Sequence, residues 1–392
     1  MIRSEAVIGL PDYEITDIEE KEGMVRIRAV HRGEVKCPWC GGAQLRSRGR
    51  RWRRPRHESW GTRHCILELE SRKWRCRECL KDFWQRFPGI LPRLRATEPF
   101  RRAVCEKHFD GISRRRLGKR ERLSGSTIER WFGDHLRRLA AERRSAPCPR
   151  VLGIDEHFFT RRRGYATTFC DLARHTVFDV VAGRSEKALE DYLEKLDGKD
   201  RVKVICMDLS STYRAIARKY FPQARIVADR FHVIRLVGYH FLTCWKGLDP
   251  QGSKHRGLVS LMRRKPSNLK PEQKTRLDDY LRSHPAVDAV YRFVRSLCEL
   301  LLHRGLNQSK CRHLIPLLLH QIDQLRSSPF ASLATLGETL HSWKAEIACM
   351  WRFSRNNGIT EGFHTKIEVL QRQAYGFRNF QNYRLRVKVM CS

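Results

Sequence analysis

Two aliphatic runs of strand length, each leading to an aspartate, set the pattern of the second half of the chain. Arg150-Val151-Leu152-Gly153-Ile154-Asp155-Glu156-His157-Phe158-Phe159 reads as a short buried strand that delivers Asp155 at its end. Arg201-Val202-Lys203-Val204-Ile205-Cys206-Met207 runs in the same way into Asp208. Between them, 165–170 and 177–181 alternate around the turn-like Asp171-Leu172-Ala173-Arg174-His175, which predicts a hairpin. Ser185 caps a helical pattern over Ala188, Leu189, Tyr192, Leu193 and Leu196. Ser210/Ser211 open another helix with Ile216 and Tyr220, and Arg225-Ile226-Val227-Ala228 makes a fifth strand. Helical periodicity then fills 235–345, with helices predicted over 273–282, 287–302, 310–325 and 333–347. After the turn Asn356-Asn357-Gly358, a last helix carries Phe363, Ile367, Leu370 and Ala374 on one face. In the first half, Val25, Ile27 and Ala29 mark a weakly alternating strand pair. Residues 97–108, 113–119 and a segment capped by Ser124 or Ser126 and running through Ile128, Trp131, Phe132, Leu136 and Leu139 read as helices, stopped by Ala146-Pro147-Cys148-Pro149.

Strand, hairpin, helix, strand, helix, strand is the ribonuclease H-like order. A lone aspartate after a strand is more often a cap or turn residue than a ligand; here the order gives the pair its meaning. The first and fourth strands are neighbours in such a sheet, so Asp155 and Asp208 come together at the edge where open α/β sheets bind ligands. There they can share divalent ions about 3.5–4 Å apart in a two-metal phosphoryl-transfer site. The third carboxylate is expected from Glu361, in the first turn of the last helix, with Glu368 as its rival and a solvated or salt-bridged role as the alternative for Glu368. Asp229 is a runner-up, expected beside the ions rather than on them, and His232 orients a phosphate or only caps. From Asp208 to Glu361 is 153 positions, too long for a loop, so an all-helical insertion is expected to split the α/β fold. Trp343 and Trp351, just before Glu361, either stack on an extruded base or belong to the core.

Four cysteines change the picture of the front. Cys37-Pro38-Trp39-Cys40 and Cys76-Arg77-Glu78-Cys79 form two CxxC pairs 35 residues apart. Four thiolates satisfy tetrahedral zinc without an open position, so a structural Zn²⁺ is expected; His57, His64 and Cys65 are less suited to replace a member of two intact pairs. The isolated Cys170, Cys206, Cys298 and Cys349 sit in apolar runs as small core residues. Between the pairs lies Arg46-Ser47-Arg48-Gly49-Arg50-Arg51-Trp52-Arg53-Arg54-Pro55-Arg56-His57, expected to be a phosphate-tracking loop in which Arg48, Arg50, Arg51, Trp52, Arg53, Arg54 and Arg56 contact DNA. The helices of 97–140 have helix-turn-helix spacing, with Ser126, Thr127 and Arg130 where base edges would be read; a plain three-helix bundle is the alternative.

Charge sharpens this reading. In 392 residues, 78 Lys+Arg against 43 Asp+Glu give +35, with an isoelectric point near 10.3, which favours a polyanionic partner. Residues 41–150 hold 31 basic and 12 acidic residues, more than half of the net charge. No stretch approaches the roughly 18 apolar residues of a membrane helix, and Met1-Ile2-Arg3-Ser4-Glu5 does not begin a signal peptide, so a soluble, cytoplasmic chain without a membrane partner is expected. The expected organisation is a zinc-binding, DNA-contacting module (1–92), a helix-turn-helix domain (93–147), the first part of a ribonuclease H-like core (148–234), a helical insertion (235–350), and the final core helix and tail (351–392).

The chain resembles the DDE transposases of bacterial insertion sequences, closest to the ISL-three family, which pair a zinc-binding amino-terminal region with such a core. The matching pieces are Gly153-Ile154-Asp155-Glu156, Met207-Asp208, Ala228-Asp229-Arg230-Phe231-His232-Val233, Asn357-Gly358 with Glu361-Gly362, and Tyr375-Gly376-Phe377-Arg378-Asn379-Phe380. Phe363-His364-Thr365 stands where the family usually has a second asparagine-rich stretch. The resemblance implies a transposase that binds the terminal inverted repeats of an element as double-stranded DNA, cleaves at their ends with Mg²⁺ or Mn²⁺ and joins the freed 3′-hydroxyl to target DNA, acting as a homodimer or larger assembly on nucleoid DNA. The competing readings are a zinc-containing sequence-specific regulator with a silent nuclease fold and, third, a structure-selective nuclease.

Overall fold

A computed structural model describes residues 7–142, 147–353, 358–374, 376–377 and 379–391, with only the backbone at 142 and 358–361. It forms two units, Met1–Leu139 and Ala140–Ser392.

The first unit is built on one long strand. Strands β1 (Tyr13–Lys21), β2 (Met24–His31), β3 (Leu45–Arg53), β4 (Arg56–Trp60), β5 (Arg63–Cys76) and β6 (Asp82–Trp84) share a sheet in which β5 takes β2 and β6 on one edge and β4 and β3 on the other. The alternation of Val25, Ile27 and Ala29 on β2 and of Cys65, Leu67 and Leu69 on β5 drives one face into a core with Ile8, Leu10, Tyr13, Phe87 and Ile90. Three helices follow: α1 (Glu98–Phe109), α2 (Arg114–Glu121) and α3 (Gly125–Glu142). The hydroxyls of Thr97, Ser113 and Ser124 accept from the N–H groups of Phe100, Arg116 and Thr127, so each helix starts on a side-chain cap. Between α2 and α3 the chain turns at Arg122, whose φ is +49°.

The second unit holds β7 (Val151–Thr160), β8 (Gly164–Asp171), β9 (Thr176–Ala182), α4 (Glu186–Glu194), β10 (Val204–Met207), α5 (Ser211–Tyr220) and β11 (Arg225–Ala228). The helices α6 (Arg230–Leu248), α7 (Arg256–Arg263), α8 (Pro271–Ser283), α9 (Pro285–Leu301), α10 (Gln308–Arg326), α11 (Ala331–Ser342) and α12 (Lys344–Arg352) come next, and α13 (Gly358–Gln373) and α14 (Phe380–Met390) close the chain. The strand order is β11-β10-β7-β8-β9, with β10 parallel to β7 and β11, and β8 antiparallel to β7 and β9. Residue parity sorts the faces. Leu152, Ile154, Phe169, Ile205 and Met207 pack under α4 and α5 through Leu189, Leu193, Tyr213 and Ile216. Ala166, Cys170 and Cys206 meet α13 and α14 on the other face through Phe363, Ile367, Leu370, Tyr383 and Val387. The helices after β11 have their own core, including Val237, Phe241, Trp245, Leu297, Leu301, Ile322, Leu336 and Trp351. The buried guanidinium of Arg230 ties it to the sheet edge by donating to the carbonyls of Leu301 (3.2 Å), His303 (3.1 Å) and Met350 (2.5 Å).

Three expectations need correction. Asp155 is not at the end of its strand: β7 runs five residues further, because β8 pairs with it as far as Thr160. The arginine run is not a loop but lies mostly on β3, held by the β5 ladder. The single helix over 333–347 is two, α11 and α12, broken at Trp343, where φ −111° and ψ 11° leave helical geometry and the ring turns into the core. Trp351 is equally buried and donates Nε1–H to the Leu300 carbonyl at 2.9 Å, so both tryptophans are core residues.

Candidate active site and metal centre

Asp155 and Asp208 share a face of the sheet. Met207 pairs with Ile154 in the parallel ladder, so the residue that follows each is an aspartate, Asp155 within β7 and Asp208 just past the end of β10, on the side of Gly153 and Cys206 and opposite the α4/α5 core. This is the side that α13 covers. Both carboxylates are fixed by the chain that bears them: the Glu156 N–H donates to Asp155 Oδ1 at 2.8 Å, and the Ser210 N–H to Asp208 Oδ1 at 3.2 Å. Asp229, next to the end of β11, caps α6 by accepting from the Phe231 N–H at 3.3 Å, and its Oδ2 lies 3.6 Å from His232 Nε2. Glu361 is the fourth residue of α13; its side chain lies outside the described residues, as do Asn356, Asn357, Tyr375 and Arg378. Glu368 is exposed and paired with Arg372 at 3.2 Å.

The electrostatics are those of crowded acids, with His232 beside Asp208 and Asp229. Burial pushes the Asp155 carboxyl up to about 7, and the Asp208 and Asp229 charges push it the same way against the pull of the Glu156 N–H. Burial also raises Asp208, opposed by His232. Cations placed between such groups would relieve both strains, and carboxylate oxygens are the donors that Mg²⁺ and Mn²⁺ take. Asp155 and Asp208 therefore fit as ligands of such an ion, with further donors still required.

Sequence reasoning missed a cluster behind Asp155. His364, one turn after Glu361, brings Nδ1 to 3.8 Å from Asp155 Oδ2, and its ring centroid lies 5.4 Å from that of His157. His157 in turn shares hydrogen bonds with Thr168 Oγ1 at 2.8 Å and with the Tyr383 hydroxyl of α14. Burial pushes His364 down to about 4 and His157 to about 3, so both rings are neutral at pH 7 and add no charge of their own beside the aspartates. The signal was present in Asp155-Glu156-His157 and Glu361-Gly362-Phe363-His364, where each histidine follows a candidate site acid by two or three positions.

The four cysteines do come together. Cys37 and Cys79 Sγ are 3.5 Å apart, as are Cys40 and Cys76 Sγ, and all four lie within 4.8 Å of one another. Four sulfurs about 2.3 Å from one tetrahedral ion would be spaced by about 3.8 Å, so the set fits zinc. Each pair is folded into a knuckle, with Gly41 (φ +76°) and Leu80 (φ +57°) following the second cysteine. His57, bonded to the Thr97 hydroxyl, and Cys65, in the core, take no part.

Of the arginine run, Arg46, Arg48, Arg50, Arg51 and Arg54 are exposed, as is Trp52. Arg51 stacks 3.9 Å over the Trp84 ring, and Arg54 reaches Glu68 at 2.9 Å. Arg53 and Arg56 turn inward: Arg53 donates to the Leu94 carbonyl, and Arg56 lies 5.0 Å from the Phe100 ring centroid. On α3, Ser126 and Arg130 are exposed, while Thr127 binds the Ser124 hydroxyl at 2.8 Å.

Residues 152–387, the span that holds this sheet and both aspartates, match the family model of the ISL3-type DDE transposases, described as "Transposase". The chain belongs to this transposase family. Residues 33–79 match the zinc-finger of transposase IS204/IS1001/IS1096/IS1165, and that stretch begins before Cys37 and ends on Cys79, so the cysteine cluster is the structural zinc site of such a ribbon. Among curated proteins, the transposase for insertion sequence element IS1001 of Bordetella parapertussis is 24% identical over 336 residues, covering 82% of this chain and 80% of that one. No helix among the described residues is long and apolar enough to cross a membrane.

Proposed function

We propose that this transposase binds the terminal inverted repeats of its element as double-stranded DNA and cleaves and transfers their strands with Mg²⁺ or Mn²⁺ held by Asp155, Asp208 and Glu361. The observation that carries the reading is the pairing of a buried Asp155 with a half-buried Asp208, whose charge raises the Asp155 pKa, at adjacent parallel strands beneath the helix that contains Glu361. A sheet of order β9-β8-β7-β10-β11, antiparallel in its first three strands and parallel in the rest, supports a ribonuclease H-like core split by the helices α6 to α12. Bound ions would neutralise the charge that develops on phosphate and lower the pKa of the attacking water or 3′-hydroxyl. The protein's own share is to fix the carboxylates through the Glu156 and Ser210 N–H groups and to bury Asp155 under α13, with Asp229 and His232 beside it as orienting groups. In the first unit, exposed arginines of β3 would track phosphates, and α2 with α3 would act as a helix-turn-helix through Ser126, Thr127 and Arg130. Assembly as a homodimer on two element ends completes the proposal.

The regulator with a silent fold is not favoured, since buried like charges weaken a fold that has no use for them. Incubating the purified protein with a duplex carrying the element end and its flank tests the function: nicking at the end and joining to a second duplex should appear with Mg²⁺ and vanish with chelator. Sequence-specific binding with no strand breakage under any divalent ion would select the regulator instead.

A further inference from the structure

Strand β7 continues five residues beyond Asp155 and returns through β8, so the strand that bears the aspartate also projects a hairpin. Its turn is closed by the Arg163 N–H donating to the Thr160 carbonyl at 3.2 Å, with Gly164 at φ +68°. The three turn residues between these positions are Arg161, Arg162 and Arg163, all exposed, and among the described residues their guanidinium groups make no ion pair. Below them, Phe158 and Tyr165 pair across the hairpin with ring centroids 5.8 Å apart, 51% and 39% exposed. Arg184 stiffens the pair by lying 4.4 Å over the Tyr165 ring while its Nη1 binds Glu156 at 3.1 Å. An arm whose base is braced and whose tip carries three uncompensated cations is suited to a polyanion. At about 3.3 Å per residue the tip stands about 20 Å from Asp155. One phosphate charge per about 3.4 Å of axis on each strand makes that span roughly six base pairs.

We propose that the β7–β8 hairpin is a DNA-backbone clamp on the flanking side: Arg161, Arg162 and Arg163 hold the phosphates of the flanking duplex about half a helical turn from the cleaved phosphodiester, with the Phe158–Tyr165 pair resting against sugars. The proposal rests on the reading of Asp155 as an active-site residue. Its contacts are to phosphate and sugar, so it confers position and not sequence preference.

The test uses the full-length protein and two duplexes bearing the element end, one extended by ten flanking base pairs and one stopping at the cleavage point. In the triple variant Arg161→Gln, Arg162→Gln, Arg163→Gln, cleavage of the extended duplex should fall at least tenfold near 0.15 M salt. The dependence of its log efficiency on log salt should be shallower by roughly 2.7, at about 0.9 per lost phosphate contact. Binding to the short duplex should stay within twofold of the parent, and the triple Arg→Lys variant should regain most cleavage. The tip is exposed, so an unchanged melting temperature is expected and checks folding. Unchanged cleavage and slope in the glutamine variant, or an equal loss of affinity for the short duplex, would overturn the clamp. Failure of the catalytic reading would be seen separately, as cleavage surviving in Asp155→Asn with the hairpin intact.

Discussion

On β9, Asp179 is buried yet charged. Arg384 of α14 donates to both of its oxygens at 2.7 Å, and Lys388 Nζ lies 3.2 Å from Oδ2, so one carboxylate ties the last helix to the sheet. Burial pushes the Asp179 carboxyl up, but the Arg384 hydrogen bonds and the Lys388 and Arg384 charges outweigh it and hold the group below the ordinary carboxylate range. A lowered folded value contributes stability that is fully present above the unfolded pKa of about 3.9 and is lost as pH falls through the folded value. Asp179→Ala should therefore cost about 3–5 kcal/mol near pH 7, since it leaves a partly buried arginine without its partner. In urea titrations the gap to the parent protein should narrow as pH drops below about 4; a gap independent of pH would show that the pair does not act through charge. Nothing in the sequence announces this pair, because its members are 205 positions apart and each resembles an ordinary surface charge. Asp155 and Asp208 were legible because strand periodicity delivers them, whereas the link from His364 to Asp155 depends on how α13 lies across the sheet.

Elements were legible wherever burial leaves a period. The hairpin of β8 and β9, the Ser185 and Ser210 caps and the helices after β11 follow from alternation, capping chemistry and 3.6-residue spacing. Strand β3 was hidden because both of its faces are exposed, and a strand with no buried side has no alternation to read. The break at Trp343 was hidden because apolar spacing continues through it. Two element-scale predictions follow from the first unit. Cys76 is the last residue of β5, so zinc clamps the end of the strand on which the sheet is built. Cys37→Ser or Cys76→Ser should release the metal and unfold the zinc ribbon, as closed zinc sites are worth roughly 10–16 kcal/mol in small zinc peptides. Elemental analysis should find one zinc per parent chain, and a metal-free, folded parent would refute the site. Replacing Arg46, Arg48, Arg50 and Arg51 by Gln should weaken binding to all DNA sequences and flatten the salt slope by up to roughly 3.6, at about 0.9 per phosphate. An unchanged slope would make β3 an ordinary solvated strand and move the DNA track elsewhere. Arg53 and Arg56 are left out of that variant because they pack inward and their loss would disturb the fold.

At the scale of the whole molecule, charge and chemistry are divided along the chain. Residues 41–150 hold more than half of the +35 net charge, while the acidic candidates Asp155, Asp208, Asp229 and Glu361 all follow residue 150. Association in salt should therefore depend chiefly on the front, and metal dependence on the core. The family was legible at this scale because the order of strands, helices and short motifs around Asp155, Asp208 and Asp229 resembles that of the DDE transposases, and the match over residues 152–387 bears the resemblance out. On the proposed function, Asp155, Asp208 and Glu361 serve chemistry and not folding or DNA recognition. The most direct measurement is single-turnover cleavage of an element-end duplex by Asp155→Asn, Asp208→Asn and Glu361→Gln, in Mg²⁺ and in Mn²⁺, alongside the affinity of each for that duplex. Each variant should lose cleavage and joining by at least 10³-fold, about 4 kcal/mol of transition-state stabilisation, while its affinity stays within about threefold of the parent. Cleavage at a parental rate by any of the three would remove that residue from the metal site, and parental rates in both aspartate variants would overturn the proposed chemistry altogether.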